Sequence, residues 1–254
     1  MALWLLLPVV FLTALLSGIF GMAGGLILMG VFTALLPVAA AMTTHGLVQL
    51  IANGGRAVLH AKHIRWKTLA FYVIGSGSIA LTLTAVALSP SKAWIYLLLG
   101  VAPMVIWTPK HWVQADAAKP LHALICGVCV TGFNLVAGSA GAMLDIFFVR
   151  TSLDRHTIVA TKAATQTISH IAKIAFYGAP LILAGGKDLP PLWFFLCMVP
   201  LSLAGTAVGG QVLKRFSDTG FKTVTRYLVT AIGAVYLVIA AQLFLNPGAA
   251  AGLG

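Results

Sequence analysis

Glutamate is absent from the 254 residues, aspartate occurs five times, and all charged residues together make up only 8%. An ordinary soluble domain carries about 25% charged residues, so a soluble globular fold is excluded. Cysteine is scarce as well, with three in the chain. Two of them form a C-x-x-C at Cys126 and Cys129, but there is no second pair and no βαβ pattern around it. They read as small helix-packing residues rather than a metal or redox motif. There is no basic tail, no zinc-type spacing and no interleaving of aromatic with basic residues, so nucleic acid is not an expected partner. No cofactor and no metal is called for.

Long uncharged runs are what the chain has in abundance. The first 55 residues carry no charge, and further uncharged runs cover Thr68–Leu88, Ala93–Pro109, Pro190–Leu213 and Tyr227–Gly254. A helix needs about 20 apolar residues to cross the hydrocarbon of a bilayer. The chain therefore reads as an all-α polytopic integral membrane protein, with the lipid bilayer as its first partner. The opening "MALWLLLPVVFLTALL" lacks the basic region of a signal peptide and runs unbroken into a glycine stretch, so it belongs to the fold. The net charge of +11 comes from basic residues gathered in short connections, where they act as topology determinants.

The chain is a duplication. A constant shift of 117 positions lays Gly21, Ala23 and Gly24 on Gly138, Ala140 and Gly141. The same register places Thr44 on Thr161, Gln49 on Gln166, Asn53 on His170 and Arg56 on Lys173. Polar residues are rare here, so their coincidence carries weight. One domain, 1–254, is expected, with internal repeats at about 1–110 and 118–254. Connections alternate in charge between the copies. "LPVAAAM" (Leu36–Met42) is neutral where "RTSLDRH" (Arg150–His156) is basic, and "AKHIRWK" (Ala61–Lys67) is basic where "GGKDLPP" (Gly185–Pro191) is neutral. "SPSK" (Ser89–Lys92) is likewise poorer in charge than "KRFSDTGFK" (Lys214–Lys222). By the positive-inside rule the two repeats lie oppositely in the membrane.

Each repeat then holds an odd number of crossings. Three spans follow a glycine-containing segment in each: 43–60, 67–88 and 92–109, then 157–183, 190–213 and 223–246. The segment Leu121–Val149 is too short for two full crossings and predicts a re-entrant hairpin with arms of about 12 to 17 residues. The first-half segment is longer, and either a re-entrant or a fully spanning hairpin fits it. The result is about eight membrane segments. The loops Lys62–Lys67, Lys110–Lys119, Arg150–Arg155 and Lys214–Lys222 are expected in the cytoplasm, and both termini outside. Glycine permits the turn at each tip, and irregular backbone at membrane depth survives beside protein or a wet cavity. The arm after each turn directs free N–H groups and a positive dipole end inward, a setting for an anion.

At these glycine stretches the sequence resembles the TauE/SafE family of sulfite and organosulfonate exporters. The copies read "GMAGGLILMG" followed by "AAAMTTHG", and "GSAGAMLDIF" followed by "IVATKAAT". The resemblance covers the whole duplicated plan. It implies a multi-pass secondary transporter of the cell (inner) membrane, an exporter of small sulfur-containing or carboxylate anions without nucleotide hydrolysis, in keeping with the missing Walker motif. Three departures stand out: Ala23 and Ala140 replace the central glycine, Gly30 and Phe147 the following proline, and Asp145 is an added acid opposite Leu28.

Two helix faces are the candidate site. His45, Gln49, Asn53 and Arg56 recur at spacings of four, four and three, as do Lys162, Gln166, His170 and Lys173. Interhelical hydrogen bonding would account for either face alone, but repetition beside two glycine tips favours a substrate-lining role. The candidate substrate site therefore comprises Gly21, Ala23, Gly24, Gly25, Gly138, Ala140, Gly141 and Ala142 at the tips. On the helices it adds Thr44, Gln49, Asn53, Arg56, Thr161, Gln166, His170 and Lys173. Asp145, His45 and Lys162 are candidates for ion coupling, with a structural Asp145–lysine pair the equal alternative. His60, His63, His111, His122 and His156 lie near loops and are assigned no role. Two other readings compete: a rhomboid-like intramembrane serine protease using Ser139 and His170 with Asn134 as oxyanion donor, and a non-transporting membrane scaffold. A homo-oligomer is compatible with the sequence, which does not specify one.

Overall fold

A computed structural model describes residues 3–109, 112, 115–149, 151–213, 215 and 218–246. No strand occurs among them, and ten α-helices follow in order. They are α1 (Leu6–Phe20), α2 (Met22–Leu35), α3 (Val38–Leu59), α4 (Trp66–Ala85) and α5 (Lys92–Val101), then α6 (Pro120–Ala137), α7 (Gly141–Phe148), α8 (Arg155–Leu183), α9 (Leu192–Leu213) and α10 (Asp218–Leu245). Five stretches are long and apolar enough to cross a membrane: Leu3–Phe20, Trp66–Ala85, Pro120–Ala137, Leu192–Leu213 and Thr223–Leu245. With 22 and 29 residues, α3 and α8 have the length as well, but they carry the His, Gln, Asn and basic residues that lower their hydropathy. The chain is a multi-pass helical membrane protein.

Both glycine stretches form helix–turn–helix hairpins. Gly21 joins α1 to α2 at φ 67°, and Gly138 ends α6 at φ 82°. L-residues with a Cβ adopt this left-handed backbone at a cost of about 1–2 kcal/mol, which is why glycine stands at both turns. The arms of the second hairpin differ from the 12 to 17 residues expected. Pro120 starts a first arm of 18 residues, while the second, α7, has only 8. The span expected over 92–109 also divides, because Pro103 lies where α5 gives way to a 3₁₀ stretch, Ala102–Trp107. At the start of α8 the Asp154 carboxylate accepts from the backbone N–H groups of His156 (3.0 Å) and Thr157 (3.1 Å), an N-cap for the longest helix.

Helix α1 packs on α9 and α4 on α6, while α3 runs along α8 and α5 along α10. Lipid tails are as apolar as leucine, so these contacts rest on close van der Waals approach through small residues. Gly18 and Gly209 face each other where α1 meets α9, and Gly127 abuts the Tyr72 backbone where α6 meets α4. The main apolar core gathers Leu28, Met29, Phe32, Met42, Ile95, Leu99, Leu135, Phe194 and Met198, all but fully buried. Tyrosine hydroxyls fasten the hairpins into this core. Tyr96 donates to the Gly30 carbonyl (2.7 Å), Tyr236 to that of Leu26 (3.0 Å) and Tyr177 to that of Leu135 (2.7 Å).

Candidate functional site

A cavity of about 1160 Å³ opens between the two hairpins and the α3/α8 pair, with α9, α10 and the 3₁₀ stretch completing its wall. The helical spacing of the polar residues explains its chemistry. His45, Gln49, Asn53 and Arg56 of α3 reach it from one side, and Lys162, Gln166 and His170 of α8 from the other. Gly21 and Gly25 of the first hairpin and Ala140, Gly141 and Ala142 of the second line it too. Each glutamine amide lies at a tip of its own half. A Cβ on Gly25 would strike Gln49 Nε2, and one on Gly141 would lie 3.9 Å from Gln166 Nε2. Gly25 leaves room for the Gln49 amide, whereas Gly141 leaves room for Met22 of the first hairpin.

Six expected site residues lie elsewhere. Ala23 is buried with Ile19, Phe20 and Val229. Gly24 faces α1, where a side chain would overlap the Thr13 carbonyl and Ser17. Gly138 is packed behind Met29. Thr44 is fully buried and its hydroxyl has no partner among the described residues. The Thr161 hydroxyl accepts from the Arg65 backbone N–H at 3.0 Å, tying the α3–α4 connection to α8. Lys173, also fully buried, is engaged by protein groups: its Nζ donates to His45 Nδ1 at 2.8 Å and to the Gly138 carbonyl at 2.7 Å. Since His45 Nδ1 accepts there, its Nε2 carries the hydrogen and donates to the Gly25 carbonyl at 2.9 Å. One lysine Nζ thus ties α8 to the second tip directly and to the first through His45.

Asp145 and Lys162 both line the cavity and form an ion pair with each other. Asn53 Nδ2 donates to the Gln49 carbonyl at 3.0 Å, one turn earlier on α3. Ser17, Ser169 and Arg226 line the cavity without having been singled out in the sequence, and so do Asn134 and Ser139, named there only for the protease reading, and His60, assigned no role. Ser17 and Asn134 are related by the same 117-position shift as the glycine motifs, a signal that pointed to them. Nothing in the sequence brings Arg226 here. It comes from α10, with its guanidinium 4.9 Å from the Trp107 ring centroid. Of the lining residues, Leu59, His60, Thr108, Val149 and Leu213 stand at element ends, next in sequence to the basic connections. Ser139 and His170 share the cavity, but no hydrogen bond joins them among the described residues; His170 Nδ1 lies instead 3.4 Å from Asn134 Nδ2.

The family model for the sulfite exporter TauE/SafE matches residues 6–236. No curated protein and no solved structure matches the chain.

Proposed function

The chain belongs to the TauE/SafE sulfite exporter family, and from that premise we propose that it is a secondary exporter of small sulfur-containing oxyanions such as sulfite, thiosulfate or organosulfonates. The observation that carries this reading is the meeting of both hairpin tips and both glutamine-bearing helix faces around one cavity. An oxyanion entering it loses hydration, which fixed donors and cations must offset. Gln49 and Gln166 supply amide donors, Arg56 and Arg226 supply charge, and the tips add the positive ends of α2 and α7.

Transport by alternating access between two inverted repeats fits the packing. Exchanging α1–α5 for α6–α10 turns the α1/α9 contact into α6/α4 and leaves α3/α8 and α5/α10 unchanged. With the basic connections in the cytoplasm and both termini outside, the lining residues next to those connections face the cytoplasm of a cell whose inner membrane holds the protein. The ion pair of Asp145 with Lys162 serves in this reading as a structural bridge between α7 and α8.

Purified protein is to be titrated with sulfite, thiosulfate, methanesulfonate, sulfate and acetate, with binding read as thermal stabilisation, then reconstituted for flux. Stabilisation and saturable flux by a sulfur oxyanion are expected. Stabilisation by none of them, or by acetate alone, would overturn the substrate class, and absence of flux would leave a non-transporting scaffold.

A further inference from the structure

One donor on the cavity wall, His170 Nε2, has no acceptor among the described residues. Asn134 on α6 is 1% exposed, and its Nδ2 donates to Ser169 on α8 through Oγ (2.8 Å) and the backbone carbonyl (3.3 Å). A carbonyl only accepts, so the NH₂ end of this amide faces α8. His170 Nδ1 lies 3.4 Å from the same Nδ2, whose two hydrogens point to Ser169, so the imidazole faces the donor side of the amide, where a hydrogen on Nδ1 would be repelled. His45 is met in the same way by Lys173. Both rings turn Nδ1 toward a donor group, and their centroids stand 5.8 Å apart. The His45 N–H is taken by the Gly25 carbonyl, whereas no described residue accepts from His170 Nε2, and His170 lines the cavity.

Resting on the oxyanion reading above, we propose that Asn134 is a positioning residue that holds His170 in the Nε2–H tautomer, so that this N–H donates to the transported anion. A donor that faces the cavity with no acceptor among the described residues is free to meet an anion oxygen there. A neutral N–H also suits a carrier, because a bound ion must be held firmly enough to enter and weakly enough to leave. Lys173 and His45, the charged and titratable groups nearest the ring on α8 and α3, are occupied with each other. The donor is therefore supplied by geometry rather than by a further full charge.

The test uses full-length protein with ¹⁵N-labelled histidine, in which nitrogen chemical shifts report the tautomer, and methanesulfonate as probe. Wild type is expected to show His170 with hydrogen on Nε2, and the Nε2 signal is expected to move as the probe saturates. Asn134→Leu, close in size, is expected to lose the tautomer preference and bind about tenfold more weakly, the loss of one hydrogen bond to a charged group. Asn134→Asp, offering only acceptor oxygens, is expected to shift the hydrogen to Nδ1 and weaken binding as well. If wild type binds no sulfur oxyanion in the panel, the functional reading fails. If it binds methanesulfonate while the Nε2 signal stays fixed, or Asn134→Leu keeps tautomer and affinity, the assignment to His170 and Asn134 is wrong. The wild-type measurement decides the matter even where a variant does not fold.

Discussion

Arg56 and Lys173 occupy corresponding places in the two helix faces, yet their surroundings separate them. Arg56 lines the cavity, while Lys173 is sealed behind it, bonded to His45 and the Gly138 carbonyl. Arg56→Gln is expected to weaken oxyanion binding roughly tenfold to a hundredfold while leaving thermal unfolding near wild type, since a charge-assisted hydrogen bond contributes about 1.5–3 kcal/mol. Lys173→Gln is expected to lower Tm of the empty protein, because two buried acceptors lose their donor. Equal effects of both variants on affinity, with no difference in Tm, would contradict this division. The faces themselves were legible because polar residues are rare and recur at helical spacing. Which lysine a backbone carbonyl would capture was not, since spacing gives a face but not what competes for each group. Gly24 shows the same limit: it repeats in register with Gly141, yet one packs on α1 and the other borders the cavity. Gly24→Leu is therefore expected to disrupt the α1–α2 contact and lower folded yield, where a ligand-blocking role would spare folding.

At the level of elements, the hairpin turns and the cap of α8 invite separate tests. Gly138 combines φ 82° with close packing against Met29, so Gly138→Ala is expected to destabilise the protein by at least about 1–2 kcal/mol. Unchanged thermal unfolding would show that the turn relaxes freely. Hydrogen bonds from Thr157 and His156 hold the Asp154 carboxyl below the ordinary carboxylate range. Its folded-state value is depressed, so its contribution is present above the ordinary value of about pH 4 and is lost as pH falls through the lowered one. Asp154→Ala should thus lower Tm at neutral pH, with the gap to wild type narrowing in acid. A gap constant with pH would exclude the charged cap. The hairpins could be read from the glycine stretches because few residues tolerate such turns, whereas their unequal arms could not, since Pro120 and the brevity of α7 gain meaning only once the neighbours are placed.

For the molecule as a whole, the multi-pass helical plan was readable from the long uncharged runs, but the contribution of α10 to the site was not. Arg226 reaches the cavity because α10 packs along α5, a tertiary fact with no local signature. The proposed orientation in the membrane rests on the basic connections. A cysteine introduced at Lys62 in otherwise cysteine-free protein is expected to resist an impermeant thiol reagent in sealed cells and to react in inverted vesicles. Labelling from outside would reverse the topology and turn the lining residues next to those connections to the exterior.

The Nζ group of Lys173 has a mechanical meaning. Through the Gly138 carbonyl it holds one tip, and through His45 and the Gly25 carbonyl it holds the other. Tips tethered to a common point cannot swing apart independently, so a displacement of either is passed to its counterpart. In the proposed exporter, such a tether would make one doorway close in the same stroke that unlatches the other, so that the membrane would stay sealed while cargo crosses.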